Sequence, residues 1–191
     1  VTPAVVAPTI VSDPKSQSFA EGKQAQLTVT VNGSDPLTIQ WLKNGVAIPG
    51  ATSSTLTIAS VQSTDAGDYT VKASNSAGSV TSAKATITVL TLPAVTTQPV
   101  SVTVNPGQNA TFTVVASGSA PLSYQWRKNG AVIAGQTGAS LALTAVTAAN
   151  AGSYDVVVTN GAGSTTSSAA TLSVNSAPSI TSQPEIGKAH V

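Results

Sequence analysis

The chain has 191 residues, of which 8% are charged, with a net charge of +1, no cysteine and a single histidine. That composition excludes a disulfide framework, a thiol nucleophile and a thiolate metal site. It also leaves no basic footprint for nucleic acid or an anionic membrane.

Reading from the N-terminus, residues 1–7 form a Pro/Ala/Val-rich lead-in, the end of a preceding repeat or a linker. From Pro8 onward the chain repeats at 85 residues without insertion or deletion. Gly22 returns as Gly107, Val29 as Val114, Trp41 as Trp126 and Tyr69 as Tyr154, and about 40% of positions 8–92 match their partners. Pro93 and Pro178 continue the series from Pro8, and Pro99 and Pro184 that from Pro14, so a third repeat is expected to begin near residue 175. This predicts domains over 8–89 and 93–174, a linker at 90–92, and a truncated repeat or tail from 175 to 191.

Within each repeat, short segments alternate apolar and polar residues between Gly, Pro, Asn and Ser clusters, the pattern of an all-β sandwich. In the first repeat the predicted inward positions are Leu27, Val29 and Val31 on one strand, then Ile39 and Trp41, then Leu56 and Ile58. Tyr69, Val71 and Ala73 follow, then Ile87 and Val89. In the second they are Phe112, Val114 and Ala116; Tyr124 and Trp126; Leu141 and Leu143; Tyr154, Val156 and Val158; Leu172 and Val174. Asn44-Gly45 and Asn129-Gly130 suit two-residue hairpins with positive φ at both positions, and the same kind of turn is expected at 75–78 and 160–163.

These residues carry a resemblance. Trp41-Leu-Lys-Asn-Gly45 and Trp126-Arg-Lys-Asn-Gly130 resemble strand C and the following turn of immunoglobulin domains. Asp65-Ala-Gly-Asp-Tyr69 is similar to the Asp-x-Gly-x-Tyr tyrosine corner, and Asn75-Ser-Ala-Gly78 to the Asn-x-x-Gly turn of the intermediate set. The second corner reads Asn150-Ala-Gly-Ser-Tyr154, where a weaker turn contact is expected. The resemblance covers about 170 residues and implies two tandem Ig-like antiparallel β-sandwiches in an elongated arrangement. It also places the family's usual disulfide positions at Val29 with Val71 and Val114 with Val156. A three-residue linker spans at most ~10 Å, so restricted domain orientation is expected.

No candidate catalytic, cofactor or metal residue emerges. Asp65 and Asp68 are close in sequence, yet Asn150 and Ser153 replace them, so Asp65 is read as a turn support and Asp68 as solvent-facing. The linker lacks the acidic residues of an interdomain calcium site. Lys15, Lys23 and Lys84 invite an isopeptide crosslink, but Val100, Gln108 and Ala169 stand at the equivalent positions. Asn32-Gly-Ser34 and Asn109-Ala-Thr111 match the glycosylation sequon and are read as chance matches in a Ser/Thr-rich chain. All the aromatic residues, Phe19 included, are assigned to the interior, leaving Arg127 and Lys128 as the spare contact residues. No apolar run approaches the ~20 residues that span a bilayer.

The expected function is a non-catalytic spacer or stalk repeat, a monomeric rod within a larger secreted or cell-surface bacterial protein. It needs no cofactor, nucleic acid or membrane insertion. The alternatives are an adhesin or accessory module for a surface protein or polysaccharide, contacting it through the loop 135–140 or by strand addition at an open sheet edge, and a subunit of an extracellular fibre.

Overall fold

In a computed structural model, residues 4–176 are described. Of the expected third repeat or tail at 175–191, residues 177–191, His190 among them, lie outside the described residues. The chain divides into two compact units, and the repeats are described in turn.

The first repeat contributes β1 (Thr9–Ser12), β2 (Gln17–Ala20), β3 (Ala25–Thr28), β4 (Thr30–Asn32), β5 (Thr38–Lys43), β6 (Val46–Ala47), β7 (Thr55–Ile58), β8 (Gly67–Asn75), β9 (Gly78–Thr81) and β10 (Ala85–Leu90). One layer holds the pairs β1–β4 and β3–β7. The other runs β2-β10-β8-β5-β6, with β9 added to β8. All these pairings are antiparallel except β2 with β10.

The second repeat follows the same order: β11 (Ala94–Thr97), β12 (Val102–Val104), β13 (Ala110–Thr113), β14 (Val115–Ser117), β15 (Ser123–Lys128), β16 (Ala131–Val132), β17 (Ser140–Leu143), β18 (Gly152–Asn160), β19 (Gly163–Thr166) and β20 (Ala170–Val174). β11 pairs β14, β13 pairs β17, and the larger sheet runs β12-β20-β18-β15-β16 with β19 on β18. The all-β sandwich is therefore formed twice.

Alternation sets the core as expected. Leu27, Val29, Trp41, Tyr69, Val71, Ala73 and Ile87 are buried, with Val31, Ile39, Leu56, Ile58 and Val89 half-buried against them. In the second repeat Phe112, Val114, Trp126, Leu141, Tyr154, Val156, Val158 and Leu172 are buried, and Ala116, Tyr124, Leu143 and Val174 are half-buried. The periodic pattern misses Val61 and Val146, both fully buried, because they sit in irregular loops before the short 3-10 turns Ser63–Asp65 and Ala148–Asn150.

Two local expectations are revised. The segment around Val29 is not one strand with one partner: β3 pairs β7 and β4 pairs β1, the change coming at Val29, whose N–H donates to the Ser54 carbonyl at 2.9 Å. The turn at 75–78 is of a different kind from that at Asn44-Gly45. Asn44 and Gly45 have φ of 49° and 82°, whereas Ser76 and Ala77 have no positive φ. Instead the Asn75 side chain accepts the Ala77 N–H at 2.9 Å, and its amide donates to the carbonyls of Val6 (2.7 Å) and Ser34 (2.9 Å). Asn160 does the same with Ala162, Thr91 and Ser119.

A buried serine completes each large sheet. β8 pairs β10 at one end and β9 at the other, and Ser82 fills the gap: its hydroxyl accepts the Val71 N–H at 2.9 Å and donates to the Ala83 carbonyl at 2.8 Å. Ser167 repeats this with Val156 and Ser168. Ser82→Ala is expected to lose about 1–3 kcal/mol by orphaning the buried Val71 amide, read as a lower urea midpoint at unchanged slope.

Candidate functional site

The chemically capable residues are engaged in holding the fold. At the first corner the Tyr69 hydroxyl donates to the Asp65 carbonyl at 2.7 Å, while the Asp65 carboxylate accepts the Gln62 N–H at 2.8 Å. The second corner has the same geometry: Tyr154 donates to the Asn150 carbonyl at 2.7 Å and Asn150 Oδ1 accepts the Thr147 N–H at 2.8 Å. The asparagine keeps the contact at the same length, its amide oxygen accepting where the carboxylate oxygen does in the first repeat.

Asp68 is not simply solvent-facing. Its two oxygens accept Lys84 Nζ at 2.8 Å and Thr86 Oγ1 at 2.7 Å. These hydrogen bonds, Lys84 first, hold its carboxyl below the usual aspartate value. Asp65 and Asp68 thus address different partners. Among the described residues no group of three or more His, Asp or Glu side chains is arranged to hold a metal.

Burial, reinforced by the nearby Asp65 carboxylate, pushes the Tyr69 phenol up to about 12, and burial alone raises that of Tyr154. A group protonated more tightly in the folded state stabilises it fully below the unfolded phenol value of 10.0 and loses that contribution as pH climbs toward about 12. Stability is therefore expected to fall across this alkaline window. Tyr69→Phe, less stable at neutral pH, should show a shallower fall in pH-dependent urea titrations.

None of the aromatic side chains is an exposed platform. Trp41, Trp126, Tyr69, Tyr154 and Phe112 are at most 1% exposed, and Phe19 and Tyr124 are half-buried. Phe112 stacks on Tyr154 at 5.0 Å between ring centroids and lies 6.2 Å from Trp126. The spare cations are engaged too. Arg127 grips both carboxylate oxygens of Asp155 (Nε 2.7 Å, Nη2 3.0 Å), and Lys128 donates to the Ala149 carbonyl with its ammonium 6.0 Å from the Tyr154 ring centre.

Loop 135–140, the candidate contact loop, is tied to the tryptophan strand. The Trp126 N–H donates to the Gln136 carbonyl at 3.0 Å and Trp126 Nε1 to that of Gly138 at 2.9 Å. Gln125 Nε2 reaches the Ile133 carbonyl at 2.8 Å. Gln40 and Trp41 hold Ile48, Ala51 and Ser53 identically. These glutamines were legible only as repeated positions beside the tryptophans. At the sequons, Asn32 Oδ1 accepts the Gly33 N–H and Asn109 Oδ1 the Ala145 N–H, each at 3.0 Å.

The family model "Immunoglobulin I-set domain" matches residues 8–89, and "Immunoglobulin domain" matches 93–160. The chain is a tandem of two immunoglobulin domains. Its fold resembles a solved I-band fragment of titin, with a TM-score of 0.81 and 27% identity, covering 90% of this chain and 66% of that one. It is 34% identical over 192 residues to Hemicentin-1 of Mus musculus, covering 94% of this chain and 3% of that protein. It is 35% identical over 168 residues to the muscle M-line assembly protein unc-89 of Caenorhabditis elegans, covering 81% and 2%. A shorter match, 38% identical over 108 residues, is to Endoglucanase C of Cellulomonas fimi, covering 54% and 10%. The tandem thus spans a few per cent of the length of the first two relatives and a tenth of the third. The likenesses to titin, Hemicentin-1 and unc-89 are consistent with a structural or adhesion module. At the positions where the resemblance places a disulfide, both immunoglobulin domains carry buried valines.

Proposed function

We propose that these two immunoglobulin domains are a non-catalytic spacer repeat of a larger secreted or surface-attached bacterial protein, with domains at 8–89 and 93–174 and a linker at 90–92. The observation that carries this reading is the absorption of contact chemistry into the fold. Recognition hot spots draw on Trp, Tyr and Arg. Here both tryptophans, two tyrosines and the sole arginine are held by core packing or by internal hydrogen bonds. The charge-poor, cysteine-free composition supports an exported bacterial origin.

A second reading, an accessory domain of a polysaccharide-degrading enzyme, is favoured by the match to Endoglucanase C. Binding separates the two. The spacer reading expects no saturable signal tighter than about millimolar, roughly −4 kcal/mol, from the tandem on a glycan array or against envelope material. Saturable binding to one polysaccharide would overturn it in favour of the accessory reading.

A further inference from the structure

Four asparagines stand directly before a glycine: Asn32, Asn44, Asn129 and Asn160. Asparagine is a thermolabile residue, and most so at this step. The glycine nitrogen, unshielded by a Cβ, can close on the side-chain carbonyl carbon that precedes it. Exposure does not separate the four, since Asn32, Asn44 and Asn129 are all exposed. What each side chain holds does separate them.

Asn44 Oδ1 accepts the Asp68 N–H at 2.9 Å, and its main-chain N–H donates to the Asp68 carbonyl at 2.7 Å. Asn129 is tied to Ser153 at the same two lengths. Asn160 is held at both ends of its amide: Oδ1 accepts the Ala162 N–H at 2.9 Å, and Nδ2 donates to the carbonyls of Thr91 (2.8 Å) and Ser119 (2.9 Å). Asn32 differs. It ends β4, a three-residue strand that pairs on one side only, with β1. Its Oδ1 accepts the N–H of Gly33 itself at 3.0 Å, and its Nδ2 makes no hydrogen bond among the described residues. The side-chain amide is therefore folded back over the nitrogen that would attack it, with its leaving group unrestrained. Such placement is what speeds an intramolecular step.

We propose that Asn32 is a site of spontaneous deamidation, with water as the co-reactant. The Gly33 nitrogen gives its proton to solvent base and bonds to Asn32 Cγ. The Cγ–Nδ2 bond breaks, and Nδ2 takes up a proton and leaves as ammonia. Water then opens the succinimide at either carbonyl, giving aspartate or isoaspartate. Either product adds one negative charge to a chain whose net charge is +1. The isoaspartyl form also lengthens the main chain by one methylene just before Ser34. That serine holds Val6, its Oγ accepting the Val6 N–H at 2.9 Å and its N–H donating to the Val6 carbonyl at 3.1 Å. Modification thus loosens the hold on the segment that leads into the first domain. The second domain has Ser117-Gly118 at the equivalent place and lacks this site.

Peptide mapping by mass spectrometry, during incubation of the folded tandem in mildly alkaline buffer, tests this; the same incubation in urea is the reference. In the folded chain Asn32 is expected to convert about tenfold faster than Asn44, Asn129 or Asn160, the rate equivalent of a hydrogen bond that each of those must first break. In urea the four rates should converge. Asn32→Ser, which copies the second repeat, should abolish the first acidic species to form on ion exchange. Asn32 remaining intact in the folded chain, or converting no faster than the other three, overturns the proposal. So does the same ranking kept in urea, which would assign the order to local sequence and not to the fold.

Discussion

Trp126→Ala is expected to destabilise the second domain by about 3–5 kcal/mol, the cost of removing a buried tryptophan. The side chain is fully buried against Phe112, and its Nε1 donates to the Gly138 carbonyl at 2.9 Å. Truncation opens a cavity in the core and releases loop 135–140 from its side-chain tether together. A domain of this size has a total stability of roughly 5–15 kcal/mol, so much of it disappears. Urea unfolding followed by circular dichroism should show the affected transition at much lower denaturant. Trp126→Phe keeps most of the volume but loses the donor and should fall between. An unchanged midpoint in the alanine variant would contradict the packing described above.

The second large effect is expected at Gly67, which has φ +148°, a region costly for any residue with a Cβ. An added Cβ would lie 2.8 Å from Asn44 Oδ1 and 3.0 Å from its Nδ2. Asn44 cannot yield freely, because its Oδ1 accepts the Asp68 N–H at 2.9 Å and its own N–H donates to the Asp68 carbonyl at 2.7 Å. Gly67→Ala therefore combines backbone strain of ~1–3 kcal/mol with loss of a hydrogen bond worth ~0.5–1.5 kcal/mol, about 1.5–4.5 kcal/mol together. Gly45→Ala is the control: its φ is +82° but nothing lies within 4 Å of the added atom, so it should cost less. Equal midpoints for the two variants in chemical denaturation would contradict the clash.

Side chains that obey a period were legible in the sequence, and those that act through the main chain were not. Trp41, Tyr69 and Val71 announce themselves by alternation and by recurrence 85 residues later. Val61 is as deeply buried as Trp41, yet no alternating run includes it, because it enters the core from a loop. Ser82 looks like one of many surface serines; its role appears only when β8 is seen to exchange partners beside it. Gln40 and Asn75 likewise act by satisfying carbonyls distant in sequence. The same limit applied to the candidate contacts: Arg127 was left over by pattern, and only the structure shows Asp155 taking both of its bonds.

Small-angle X-ray scattering of the dilute tandem, compared with each immunoglobulin domain alone, tests the spacer reading most directly. A spacer must hold its ends apart, so the maximum dimension should approach the sum of the two single-domain lengths, with a narrow distribution of conformers. Domains folded back on one another, or a broad ensemble of orientations, would contradict it.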